Sequence, residues 1–493
     1  MRSAMLLGFL ALSGCATTPG YRSSSVQPPA SFQGTTDTTM TGSGPEGPHP
    51  LAPSPSGSLG TNDGPAVSFD YWDRLGDTTL SRLLSEGLRA NLDIRAARAR
   101  VSAARSDRTR TVLDLTPSTT LSAGYARQRL SSATFPGVSG IFPDQSVWDA
   151  GVSASWDLDV FGRIRHTVQA QGALVGVAQE DLRDMQVTLT AELARAYFEL
   201  RGAQEQLEVA RRNAENQRRT FEVTRQRLDA GRGNPFDTER AQALLSSTLA
   251  SIPGREAQVA AAQYRIGALV GRAPAAVARE LEQAGGEGGG AQLPPLPEVT
   301  AIGTPDEVLR SRPDVAAAER FAAAQGALVG AAKASYLPRL TIGGSAGYAA
   351  PQFSTVGNQG TVRYAVGPVI TWPGLSLGRV RAEVDAAQAR EDAARAQYSR
   401  VVLAAMADLE TSLTRYRAAR VQVERLQEAS AASERAADLA RLRFREGVTD
   451  FLQVLDAERT QLEAQDRLAQ GRTDAATAYA ALYRALGGAG QRP

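Results

Sequence analysis

The sequence predicts a mixed α and β fold: one plan of helices and short strands written twice, whose strands close into a barrel only when several copies contribute. Three observations carry this. Proline-free runs from Arg163 to Leu228 and from Arg379 to Phe444 are rich in Ala, Arg, Glu, Gln and Leu, all strong helix formers. Four short stretches change the apolar period from 3.6 to 2, the signature of half-buried strands. Landmarks of the first half recur in the second at a fixed offset of 216 residues.

The long runs come first. Apolar or small positions at Leu182, Met185, Leu189, Leu193, Ala196, Leu200, Ala203, Leu207 and Ala210 advance 28 residues in eight steps, a repeat of 3.5. That period marks the seam of a supercoiled helix. The same positions shifted by 216 run from Tyr398 to Leu426 and are apolar at all but Ser412. A helix of this length spans about 100 Å, more than an ordinary globular domain.

Composition narrows the class. An apolar content of 42% excludes wholesale disorder. The 54 basic and 52 acidic residues nearly cancel, and they alternate along helices as on a solvated coiled-coil face, so no nucleic-acid partner is expected. No stretch of eighteen apolar residues is present to serve as a transmembrane helix.

In chain order, residues 1–14 read as an export signal. Arg2 precedes the apolar run from Ala4 to Leu12, and Leu12-Ser13-Gly14-Cys15 resembles a bacterial lipoprotein box. Cys15 is the only cysteine, so no disulfide partner competes, and a covalent lipid on Cys15 is expected, with no other cofactor. Residues 15–66, crowded with Pro, Gly, Ser and Thr, form a tether without a core. The first structural repeat is placed at 67–284. Helical periodicity runs from Tyr71 past Asn91 to about Thr111, and Pro117 ends it. A weak strand at Leu121, Ala123 and Tyr125 partners a strong one at Val147 to Asp157, where Trp148, Ala150, Val152, Ala154 and Trp156 share a face. Helices over 163–230 and about 236–269 are separated by the breaker Gly231-Arg232-Gly233-Asn234-Pro235. A linker is placed at 285–304 and the second repeat at 305–488, before a short tail, 489–493. That repeat holds a helix from about Pro305 to Ser335, strands at Leu340 to Tyr348 and Val362 to Trp372, a helix over 378–445, a break at Gly447 and a helix from Phe451 to about Leu486.

Four strands of this kind suit a membrane β-barrel with a wet interior, and aromatic residues at or near their ends would sit at the bilayer interfaces. The same alternation also fits half-buried hairpins in a soluble sandwich. In lipid, however, four strands cannot close, and an open edge leaves each unpaired backbone group costing several kcal/mol. Identical copies would supply the rest: three make twelve strands, with the long helices closing a second barrel below.

The chain resembles the outer-membrane factor family, the TolC and OprM channels, from about Trp72 to Gly488. The segments that carry the resemblance are Leu309-Arg-Ser-Arg-Pro-Asp-Val315 with Glu319, Trp156-Asp-Leu-Asp-Val-Phe-Gly-Arg163, and Gly447 with Val454-Leu455-Asp456-Ala457. With the lipoprotein box they are similar to the OprM-like lipoprotein branch. The resemblance implies a TolC-like homotrimer in the bacterial outer membrane, with a twelve-stranded transmembrane β-barrel continued by a long periplasmic α-helical barrel. It implies a passive exit duct for drugs or other small molecules, met by a periplasmic adaptor protein and a proton-driven, RND-type inner-membrane pump. It further implies a periplasmic gate at Leu452 and Asp456, an inter-hairpin link between Asp237 and Arg443, and helix-hairpin turns at Gly231 and Gly447. Read without the family, Asp456 is an ordinary helix-face carboxylate and Leu452 a seam residue. Channels for protein secretion or metal export, and a non-conducting coiled-coil lipoprotein scaffold, remain the alternatives.

Catalysis is not expected. Gly343-Gly-Ser345-Ala-Gly347 has the spacing of a serine-hydrolase elbow, but a strand continues after Ser345 and no histidine follows it. His49 and His166, the only histidines, cannot assemble a zinc cluster, so no metal site is expected.

Overall fold

The computed structural model describes residues 70–129, 143–286, 293–298 and 304–488; the export signal, the tether, Cys15 and His49 lie outside them. The order is α1 (Asp70–Asp73), α2 (Thr78–Ala90), α3 (Leu92–Leu113), β1 (Ser118–Gln128), β2 (Gln145–Leu158), α4 (Arg163–Asp229), α5 (Pro235–Leu269) and α6 (Pro274–Gly286), then α7 (Pro305–Ser311), α8 (Pro313–Ala334), β3 (Arg339–Ala350), β4 (Val362–Thr371), α9 (Leu377–Arg445) and α10 (Phe451–Ala485). The chain divides into two compact units, and neither is a sequence repeat. One takes Arg100–Ala178 and Ala317–Ser399; the other takes 70–99, Gln179–Ala316 and 400–488. Each unit is built from corresponding parts of both repeats.

The first unit holds the strands, in the antiparallel order β1-β2-β3-β4. Register converts the alternation into continuous rows. Leu121, Val152, Ala346 and Tyr364 stand side by side, as do Ala123, Ala150, Tyr348 and Val362. On the opposite face Thr120, Ser153, Ser345 and Ala365 form a row, which places Ser345 among small residues mid-strand. The apolar face is uncovered, with Leu121 81% and Tyr364 82% exposed. Two tryptophans tie the sheet to the helix ends feeding it: Trp156 Nε1 donates to the Leu115 carbonyl at 2.8 Å and Trp372 Nε1 to that of Tyr336 at 3.0 Å. At the other end of the strands Tyr125, Trp148 and Phe353 pack ring to ring. In the Trp156 to Arg163 turn, the Asp159 carboxylate accepts from the Ile164 and Arg165 amides at 2.9 Å each, capping α4.

The second unit carries the main core. Tyr71, Trp72, Phe198, Tyr416, Tyr479 and Tyr483 are fully buried among Leu80, Leu83, Leu84 and Leu193. Tyr71 stacks on Tyr479 at 4.4 Å, and each hydroxyl donates to the other residue's backbone carbonyl, at 3.0 and 3.2 Å. These buried polar tips are thereby satisfied.

Three boundaries differ from the expectation. The helix expected to run through Asn91 breaks there, and the one expected over 305–335 breaks at Arg312, before Pro313. The breaks occupy equivalent places, 221 residues apart, and each polar side chain reaches back to a distant helix end. Asn91 Nδ2 donates to the Leu269 carbonyl at 2.8 Å, and Arg312 Nη1 donates to that of Ala485 at 2.8 Å. Leu269 and Ala485 are themselves 216 apart. Beyond each lies a glycine in the left-handed region, Gly271 at φ 72° and Gly487 at φ 71°; a Cβ on Gly271 would lie 2.5 Å from the Ala90 carbonyl oxygen. The third difference is α6, which the reading ending the first repeat at 284 passed over. Its Val277 and Leu281, four apart, seat it in the main core.

Candidate functional site

The site is the pair of hairpin turns, α4 to α5 and α9 to α10, where the sequence places its gate residues. The turns are chemical copies. Gly231 at φ 64° follows α4 and Gly447 at φ 76° follows α9, a backbone region in which L side chains are strained. The Arg232 amide bonds the Arg227 carbonyl and the Gly231 amide that of Leu228; Val448 to Arg443 and Gly447 to Phe444 repeat the pattern. These bonds satisfy carbonyls that a helix end leaves unpaired. Asn234 and Asp450, again 216 apart, cap the following helices by accepting from Phe236 and Gln453 amides. Gly231 and Gly447 therefore sit at the helix-hairpin turns.

Leu452 and Asp456 lie one turn apart in α10, on the face opposite buried Phe451 and Val454. Leu452 is 51% exposed. The Asp456 carboxylate accepts from Arg459 Nη2 at 3.3 Å, a pair in which both side chains are about two-thirds exposed. Such a pair contributes roughly 0.2–1 kcal/mol. Arg459 was not foreseen; its spacing of three from Asp456 was the available signal.

The expected Asp237–Arg443 link is not formed within the chain. Asp237 sits in the first turn of α5, half-buried, and Arg443 is exposed near the end of α9. Arg227, at the end of α4, joins the hairpins instead. Its Nη2 donates to the Phe444 carbonyl at 2.8 Å and to the Arg445 carbonyl at 3.0 Å, and its guanidinium lies 4.3 Å from the centre of the Phe444 ring. A cation here meets the negative end of α9, whose last carbonyls have no partner in their own helix. The arginine wins over the expected pair because it satisfies two carbonyls and a ring face at once.

Further along the hairpins lies a buried carboxylate that sequence reading did not single out. Glu458 in α10 is 3% exposed; it accepts from Arg441 Nε at 2.9 Å and from Thr220 Oγ1 at 2.7 Å, joining α9 and α4 to α10. Arg441 Nη2 also donates to Gln461 at 2.9 Å. The charge is thus both paired and hydrogen-bonded, the condition under which burial is tolerated.

The Arg-Pro-Asp segment does structural work in the second unit. Arg312 donates to both Asp314 oxygens, at 3.0 and 2.8 Å, and to Asp408 at 3.3 Å besides the Ala485 carbonyl. Burial alone would raise the Asp314 carboxyl, but the Arg312 guanidinium prevails and holds it below its ordinary value. The neighbouring Asp184 goes the other way, raised by burial and by the Asp314 charge.

A family model described as outer membrane efflux protein matches residues 83–272 and 304–488. The chain is 30% identical over 448 residues to the outer membrane protein OprJ of Pseudomonas aeruginosa, covering 89% of this chain and 90% of that protein. It is 28% identical over 483 residues to the toluene efflux pump outer membrane protein TtgF of Pseudomonas putida, covering 97% and 95%. Among solved structures, that of the outer-membrane channel OprN superposes with a TM-score of 0.77 at 38% identity, over 86% of this chain and 93% of that one.

Proposed function

We propose that this chain, which belongs to the outer membrane efflux protein family, is the outer-membrane exit channel of an efflux assembly. Its partners are a periplasmic adaptor and an inner-membrane pump of the RND type, and drugs or other small molecules pass through it without chemical change. Three copies surround one pore, and a lipid on Cys15 adds an anchor through its buried methylenes.

One observation carries this reading: a four-stranded sheet with rows of exposed Leu, Val, Ile and Tyr on one face, tryptophans and tyrosines near its ends, and small or polar residues on the other. Water makes such a face costly at about 25 cal/mol per Å², whereas hydrocarbon does not. Lipid in turn requires closure, because the outer edges of β1 and β4 pair with no strand of the same chain among the described residues.

At the tips, Leu452 and Asp456 share an α10 face. Repeated by three copies around an axis they form an apolar ring beside an acidic one, the first resisting wetting and the second favouring cations. Arg459 partly offsets the acidic charge. Arg227 holds the hairpins together through contacts that a docking partner can replace, as a gate requires. Reconstitution of the purified protein in planar bilayers tests the reading. The expected result is discrete single-channel conductance from a particle of three copies; a non-conducting particle would identify a scaffold instead.

A further inference from the structure

The two repeats allow the contact between copies to be read from the contact inside one copy. Within the chain, α4 meets the second hairpin through positions seven residues apart. Gln206 bonds Gln470 at 3.1 Å, Asn213 bonds Gln465 at 2.8 Å, Thr220 bonds Glu458 at 2.7 Å, and Arg227 reaches the end of α9. A spacing of seven is the register of one helix seam. Shifted by 216, these α4 positions become Gln422, Ala429, Ala436 and Arg443 on α9, and every one of them is exposed. The partners on α10 become Gly254, Leu249 and Gln242 on α5, also exposed. Arg443 forms no hydrogen bond or ion pair through its guanidinium among the described residues, although its equivalent, Arg227, is held by two carbonyls and a ring.

We infer that the second hairpin of one copy docks on the first hairpin of the next along Gln422, Ala429, Ala436 and Arg443, with Arg443 capping the end of that neighbour's α4. This rests on the reading of several copies around one pore. The occupant is a second copy because the surface a first hairpin offers is present, unused, on every chain, and the matching stripe is unused on every second hairpin. Such a head-to-tail contact between unlike surfaces generates a ring when its rotation closes. The chemistry of the seam changes while its geometry is kept. Ala429 against the partner's Leu249 is apolar where Asn213 meets Gln465, and Ala436 against the partner's Gln242 replaces a hydroxyl on a buried carboxylate. Arg443 donates to the carbonyls of the partner's Leu228 and the partner's Asp229, in the same negative helix-end field that holds Arg227.

The test pairs Ala429→Cys with Leu249→Cys in membranes and applies a short bis-maleimide. Expected is conversion of most of the chain to two-copy and three-copy bands, absent from either single variant. Asn213→Cys with Gln465→Cys serves as the within-chain control, losing alkylatable thiol without gaining mass. Native mass of the solubilised wild type is measured separately. Three copies by mass without cross-linked bands would overturn the surface and leave the channel reading intact; one copy by mass would overturn both. For the cap, Arg443→Ala is expected to raise conductance as Arg227→Ala does, with Arg443→Lys in between. An unchanged conductance in Arg443→Ala, with the cross-link preserved, would overturn the capping role.

Discussion

Replacing Arg227 with alanine removes two hydrogen bonds from a charged donor, at 2.8 and 3.0 Å, and a ring contact at 4.3 Å. Hydrogen bonds involving a charged group contribute about 1.5–3 kcal/mol each, and a cation over an exposed ring about 0.5–1 kcal/mol. The guanidinium is only partly buried, so water takes over much of the carbonyl solvation, and the net loss reduces to about 2 kcal/mol. At 1.4 kcal/mol per factor of ten, the hairpin tips should then open about 30-fold more often. Amide hydrogen exchange reports this directly, since protection at residues 228–231 and 444–448 reflects local opening. Those amides should exchange about 30-fold faster in Arg227→Ala, while amides of β1 to β4 keep their rates. Lysine, a single point donor, keeps one carbonyl contact and loses the planar stacking, which predicts an acceleration of about fivefold, or roughly 1 kcal/mol. An acceleration below about threefold at both tips in Arg227→Ala would refute the clamp.

Three further outcomes follow from the same structure. Asp456→Ala should raise the conductance of the purified pore, and an unaltered conductance would remove Asp456 from the constriction. Glu458→Ala leaves Arg441 half-buried without its carboxylate and should cost about 3 kcal/mol, with Glu458→Gln retaining part by accepting from Thr220; thermal unfolding that ranks Gln no better than Ala would contradict the pairing. The Asp314 carboxyl is lowered in the folded state, so its contribution is complete above the ordinary carboxylate range and disappears as pH falls through its lower folded value. Acid titration of thermal stability should therefore show a loss that is blunted in Asp314→Asn; identical profiles would exclude the Arg312–Asp314 contact as its source.

Much of the architecture was legible because it depends on local period. Proline-free runs with a 3.5 repeat became α4 and α9, and alternation placed Leu121, Val152, Ala346 and Tyr364 in one row across four strands. Leu452 and Asp456 could be placed on one face from their spacing alone. What escaped the sequence depends on partners far along the chain. The apolar rhythm from Leu88 to Ile94 continues through Asn91, and nothing local announces that its amide bonds a carbonyl 178 residues away. Arg227 is one arginine among many in an arginine-rich helix, and only its target, the end of α9, distinguishes it. The expected Asp237–Arg443 pair joined charges by sign, whereas the link that forms joins a charge to a helix end. The position of α6 was hidden by the Gly-rich segment that follows it.

The uncapped edges of the sheet bear on how the protein comes to be made. A newly exported copy presents two rows of free amides and carbonyls beside a wide greasy surface, a template on which any stray extended peptide can nucleate clumping. Productive folding is then a race whose winning step is second order in chain concentration, and escort by holdase chaperones across the envelope becomes a condition of yield. Lowering the rate of synthesis should accordingly reduce the insoluble fraction only where such escort is limiting.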